Sequence, residues 1–190
     1  MDASNDALLA DFARLLPDAR AATDAISSHD PLSQLYSGFP LNLPHLPKLY
    51  ERLIVQWKWN PPETSDEELL MDSPGSGYPL TFRFLGNGED ETPFHTLLKE
   101  MQKDKVIWNL LIQTRYVPFG RGGLQGYDPV CFDLNRKRGD DCPIVSLHHE
   151  EILCYDRIKI ALEIASSFRE LIQSVIAKKE KSRRNQDRVL

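Results

Sequence analysis

The chain has 190 residues, 41% of them apolar and 27% charged, with a net charge of −5; this is enough apolar content to bury a core and fill one domain with extensions, and it excludes the disordered class. No apolar run approaches the roughly 20 residues that a membrane helix needs, and the start, "MDASNDALLADFARLL", has acids where a secretory signal would carry lysine or arginine, so a cytoplasmic location is expected. Three cysteines, an odd number with no C-x-x-C pair, do not describe a disulfide framework.

In chain order, Leu8, Phe12, Leu15, Ala19, Ala22 and Ile26 recur at helical spacing, with Pro17 among them, which predicts two short helices or one bent one. Residues 28–45, "SHDPLSQLYSGFPLNLPH", are rich in proline, serine and aromatics without a period and read as an ordered wrapping segment. A helix is expected from Pro47 through Leu49, Tyr50, Leu53, Ile54 and Trp57, stopped by Pro61 and Pro62. The capping pattern Ser65-x-x-Glu68 ahead of "LLM" predicts a short helix. "PLTFRFLG" alternates as a half-buried strand does.

Thr92 and Pro93 cap a predicted helix with the stripe Phe94, Leu97, Leu98 and Met101, and Val106, Ile107, Leu110 and Leu111 predict another. "TRYVPFG", "DPVCFDL" and "PIVSLH" follow as strand candidates. An amphipathic helix is expected through Ile158, Ala161, Leu162, Ala165, Phe168, Leu171, Ile172 and Val175. Helices, then clustered strands with short connections, then a closing helix predict an α+β fold with a mostly antiparallel sheet flanked by helices.

The last thirteen residues, "KKEKSRRNQDRVL", hold six bases against two acids, a local +4 that leaves −9 on the rest. This basic tail reads as a solvated helix end, with a nucleic-acid contact as the sharper alternative; the overall pI of about 5.5 argues against a dedicated nucleic-acid binder.

Chemistry concentrates in "GYDPVCFDLNRKRGDDCPIVSLHHEEILC", Gly126 to Cys154. Cys131, Cys142, His148, His149 and Cys154 are potential zinc ligands, but structural zinc sites pair ligands two to four residues apart, and adjacent strand histidines point to opposite faces. A nucleophilic centre would use Cys131 as thiolate, His148 or His149 as base and Asp133 as orienter. Yet Asp128 and Asp133 flank that cysteine, and negative charge disfavours a thiolate. Asp128, Asp133, Glu150 and Glu151 suggest paired carboxylates; the plainer reading puts Glu150 and Glu151 at the positive end of a short helix, and Asp128-Pro129 at a turn leading into a strand. Cys131 reads as a small buried residue. Trp57, Trp59 and Trp108 read as packing, with one exposed tryptophan a possible partner anchor.

"YVPFG" (Tyr116 to Gly120), "YDPVCFDL" (Tyr127 to Leu134) and "PIVSLHHEEIL" (Pro143 to Leu153), followed by "IASSFRELI" (Ile164 to Ile172), resemble the bacterial branch of the SUKH superfamily, the Smi/Knr-type domain. "LPKLYERLIVQWKWN" (Leu46 to Asn60) is similar to that family's opening helix, although "WKWNPP" stands where many members carry a glycine-rich turn. The signature residues here are Tyr127, Asp128, Pro129, Cys131, Phe132, Asp133, His149 and Glu150. The resemblance implies a non-enzymatic, cofactor-free protein-binding domain. Many bacterial members are immunity proteins that sit on a cognate toxin, frequently a nuclease; a regulatory scaffold of the same fold is the alternative, and a cysteine hydrolase or zinc protein the remote one.

It divides the chain into a helical extension and wrapping segment (1–45), a SUKH-like domain (46–177) and the basic tail (178–190). Glu63, Asp66, Glu67, Glu68, Asp72, Glu89, Asp90, Glu91 and Glu100 stand against only Arg83 and Lys99 in residues 61–100. Such an acidic surface suits the basic groove of a nuclease and speeds encounter; solvation is its plainer role.

Overall fold

The computed structural model of the chain describes residues 3–15, 20–21, 31–58, 69–72, 79–84, 105–122 and 128–186. Its N-terminal part comprises helix α1 (Ala3–Ala13), strand β1 (Arg20–Ala21), helix α2 (Pro31–Ser37), helix α3 (Lys48–Gln56) and strand β2 (Trp57–Lys58). Strands β3 (Leu69–Asp72) and β4 (Pro79–Phe84) come next, then helix α4 (Lys105–Gln113), β5 (Tyr116–Gly122), β6 (Asp128–Asp133) and a 3-10 turn over Leu134–Arg136. The chain continues through β7 (Ile144–Leu147), helix α5 (His149–Tyr155), β8 (Ile160–Ala165) and helix α6 (Phe168–Gln186).

The fold is α+β. β1 and β2 form a small antiparallel ribbon, and β3 to β8 form a six-stranded sheet in plain chain order, each strand antiparallel to the next. Antiparallel neighbours need no long crossover, and in the two fully described connections, β6 to β7 and β7 to β8, a 3-10 turn with a loop and a short helix suffice.

Alternation along the strands sets the two faces. Val117 and Phe119 of β5, Val130 and Phe132 of β6 and Ile144 of β7 join the main core, which α1, α3 and α6 supply with Leu9, Phe12, Leu53, Ile54, Leu171 and Val175. At its centre four buried rings from four elements meet. Tyr50 of α3 lies 4.8 Å from Phe132 and 5.3 Å from Phe168, Phe119 stacks on Phe132 at 4.2 Å, and Phe132 meets Phe168 edge-on at 5.6 Å. Offset and edge-to-face arrangements of this kind are favoured by the ring quadrupoles. The intervening strand residues Cys131, Val145 and Leu147 form a smaller cluster with Leu111 of α4 and Ile152 of α5.

The described part of residues 1–45 belongs to the same core, since Leu9, Phe12, Leu35 and Phe39 are buried in it. Its end is tied to the loop after β6 by Lys137 Nζ, which donates to His45 O at 2.5 Å, and the start of α3 is held by the same loop, Lys48 N donating to Asp140 O at 3.1 Å and Lys48 Nζ to Asp140 Oδ2 at 2.9 Å. The wrapping segment expected over 28–45 contains α2, and its Tyr36 hydroxyl donates to Glu51 while accepting Leu46 N at 2.7 Å. The basic run from Lys178 continues α6 to Gln186.

Five expectations need correction or reach beyond the described residues. The helix expected on the way to Ile26 is interrupted, because Arg20 and Ala21 pair with Lys58 and Trp57 as strands, while Ala19, Ala22 and Ile26 lie outside the described residues; Trp57 accordingly leaves the helix for β2. Leu69 to Asp72 is a strand rather than a helix, paired with Phe82 to Pro79. A four-residue segment gains too little from an isolated helical turn to resist a hairpin partner. Ile158 to Ala165 also is not helical: β8 occupies 160–165 against β7, and the helix starts at Phe168. The predicted helix over Phe94 to Met101 lies outside the described residues.

Candidate functional site

The acid-rich stretch spans β6, the following loop, β7 and α5. Its carboxylates are turned to backbone amides. Asp128, at the start of β6, accepts His149 N at 3.1 Å, and His149 Nδ1 lies 2.6 Å from the same oxygen, Oδ1; a side chain distant in sequence thus occupies the position of an N-terminal cap for α5. Asp133, buried at the end of β6, accepts Asn135 N at 3.1 Å and Arg136 Nε at 2.6 Å, and Arg136 Nη1 reaches Glu163 Oε2 at 2.6 Å. Asp141 accepts Cys142 N at 2.8 Å and Phe168 N at 2.9 Å through Oδ1, and Arg169 N at 3.3 Å through Oδ2. Three acids therefore satisfy orphan donors at three helical starts, where the peptide dipoles favour negative charge.

Cys131 is fully buried in β6, and its thiol is pushed well up by burial and secondarily by Asp133. Cys142 is buried too and pushed up to about 12, by burial first and Asp141 second. Both shifts favour the neutral thiol, the opposite of an activated nucleophile. Cys154 is exposed on α5. His148 is the N-cap residue of α5 and its backbone N donates to Lys159 O at 3.0 Å. Among the described residues no three His, Cys, Asp or Glu side chains gather as a metal site.

Glu150 and Glu151 lie in the first turn of α5, as expected. Glu151 is bound by Arg157 Nε at 2.6 Å and Lys159 Nζ at 3.0 Å, which hold its carboxyl down at about 2. Trp108 stacks on Phe39 at 5.8 Å, consistent with packing, and Trp57 packs against the core half-buried. Pro129 and Phe132 are buried. Glu63, Asp66, Glu67, Glu68, Glu89, Asp90, Glu91, Tyr127 and Trp59 lie outside the described residues.

Sequence reasoning missed Asp141 as the cap of α6, because its amide partners are 27 and 28 positions away and carry no local signal. It also missed the buried Glu51, which binds the Tyr36 hydroxyl and lies 3.3 Å from His45 Nδ1. It missed, finally, several exposed apolar side chains: Val106 of α4 and Leu153 and Tyr155 of α5, on helices that carry the smaller cluster, and Ile160 of β8. No protein-family model matches this chain, and neither a curated protein nor a solved structure matches it.

Proposed function

We propose that this chain is a SUKH-like protein-binding domain and acts as a cytoplasmic, cofactor-free immunity protein that neutralises a cognate bacterial toxin by direct contact. The observation that carries the reading is the use made of the signature residues: Asp128 and Asp133 each bind backbone amides that begin a helical segment, as does Asp141 in the loop between the resembling segments. Residues that recur for the sake of fold are expected to behave this way, whereas catalytic carboxylates must face a reactant. The chain order of the resembling segments supports it further, with "YVPFG" in β5, Asp128 to Asp133 in β6, Ile144 to Leu147 in β7 and "FRELI" in α6. A partner with a basic groove would be met by Glu63, Asp66, Glu67, Glu68, Glu89, Asp90 and Glu91, whose charge complements it and steers encounter.

Co-expression with the product of the neighbouring gene tests the reading. A co-purifying complex and survival of the host are expected, together with a slower, less salt-sensitive association when the seven acids are neutralised. Free toxin activity with no complex would overturn it.

A further inference from the structure

Helix α6 outruns the core it packs on. Its buried stripe, Phe168, Leu171, Ile172 and Val175, would continue by helical spacing at positions 179, 182 and 186, but Lys179, Ser182 and Gln186 stand there. Ile176 is the last apolar side chain packed on the core, and from Ala177 to Gln186 no described side chain is buried. The helix nonetheless runs on to Gln186. Starting a helix is the costly step and extending one is not. The packed half therefore nucleates the rest, a rod about 15 Å long.

This second half is basic on every side. At about 100° per residue, Lys178, Lys179, Lys181 and Arg184 leave no gap wider than about 140° around the axis. Glu180, the one acid between Ala177 and Gln186, stands in that gap and is paired with Arg184 at 3.4 Å. Lys181 and Arg184 are exposed, Lys178 and Lys179 half-buried. The helix dipole favours bases in the last turn only, so it does not account for Lys178, Lys179 and Lys181.

Three kinds of anionic partner compete for such a rod. A helix that lies on a membrane needs an apolar face, and between Ala177 and Gln186 alanine is the only apolar residue. An acidic protein surface meets a helix from one side, whereas bases all round match a ligand that flanks it on both. The major groove of B-form DNA does so, since it admits an α-helix between two rows of phosphates. Arg183, Arg184, Asn185 and Gln186, at the helix end, are residue types that bind phosphates and base edges.

We propose that the end of α6 is a DNA contact, lying in the major groove with Lys178, Lys179, Lys181 and Arg184 on the phosphates. The rest of the chain carries −9 and repels a polyanion, which confines the contact to this helix end and makes it weak, non-specific and salt-sensitive. The overall pI of about 5.5 fits such an accessory contact rather than a dedicated nucleic-acid binder. It is a second activity beside the proposed toxin contact and does not depend on it.

Fluorescence anisotropy of a short labelled DNA duplex, titrated with the full chain over a salt series, tests this. Half-saturation at about 10⁻⁴ to 10⁻⁶ M is expected near physiological salt, tightening steeply as salt is lowered. Lys178→Gln, Lys179→Gln, Lys181→Gln and Arg184→Gln, combined, weaken binding by about tenfold or more at low salt and make the logarithmic salt slope shallower by about 3. Lys178→Arg, Lys179→Arg and Lys181→Arg, combined, keep both, which separates lost charge from a disturbed helix, and thermal midpoints stay unchanged in either variant. No binding at low salt, or an undiminished affinity in the Gln variant, would overturn the proposal. So would equal affinity for duplex RNA, whose major groove is too narrow for a helix. Tighter binding to phosphatidylglycerol vesicles or to polyglutamate would overturn it too, assigning the helix to a membrane or an acidic protein.

Discussion

The face of the sheet toward α1, α3 and α6 is closed around four rings contributed by α3, β5, β6 and α6, whereas the opposite face carries Cys131, Val145 and Leu147 beneath residues of α4 and α5. The four rings of the first face are fully buried, although Leu41 on the segment leading into α3 is exposed; the elements covering the second leave Val106, Leu153 and Tyr155 in solvent. The thick face thus carries the larger buried core, and the thin face is covered by two short helices, α4 and α5, that leave apolar side chains outside.

Urea unfolding of paired variants tests this division most strongly. Phe132→Ala removes a ring at the centre of the thick face and should cost about 3–5 kcal/mol, while Ile152→Ala, under a seven-residue helix that can settle into the space, should cost about 2 kcal/mol. Equal costs would break the comparison. The caps come next. Asp141→Ala strips acceptors from the start of the thick-face helix α6 and should cost about 1–2 kcal/mol, more than Asp128→Ala, which releases His149 N on the thin side and should speed exchange in α5.

A smaller effect of opposite sign sharpens the picture of the thick face. The Tyr50 hydroxyl is buried with no hydrogen-bond partner among the described residues, so Tyr50→Phe should raise stability by about 1 kcal/mol, read as a thermal midpoint higher by roughly 2–4 °C. The smallest effect lies on the thin side and depends on pH. Arg157 and Lys159 lower the Glu151 carboxyl from 4.5 to about 2, so its contribution is complete above pH 4.5 and drains away as pH falls toward 2. Glu151→Gln should flatten that part of the stability profile, measured as urea midpoints across the window.

The meander from Tyr116 to Leu147 was legible because each strand alternates or runs apolar between turn residues, and the buried Cys131 followed from its neighbours Val130 and Phe132. β8 was not. Ile158, Ala161, Leu162 and Ala165 continue, by coincidence of spacing, the helical stripe of Phe168, Leu171, Ile172 and Val175, and periodicity alone extends the helix backward through them. A signal of the true boundary was present in "SSFRE". Ser167 Oγ accepts Glu170 N at 3.1 Å, one half of a capping box, and the Glu170 carboxylate reaches one residue further back to accept Ser166 N at 2.8 Å, which begins α6. The opposite error occurred at Leu69 to Asp72, where a capping pattern suggested a helix and pairing with β4 decided for strand. Of the candidate site, Glu150 and Glu151 at the head of a helix were readable locally, but the capping by Asp128 and Asp141 joins residues that only the folded sheet brings together.

The four-ring cluster also sets an order of events. Tyr50 and Phe168 stand far apart in the sequence, on α3 and α6, so the centre of the molecule stays incomplete until the whole segment between them has been made. Contacts so distant in sequence charge their loop-closure entropy before returning any stabilisation, which slows folding relative to a chain built from local contacts. During synthesis the apolar stripe of α3 must therefore wait uncovered, making the nascent chain, rather than the finished protein, the form most exposed to aggregation and most dependent on chaperones.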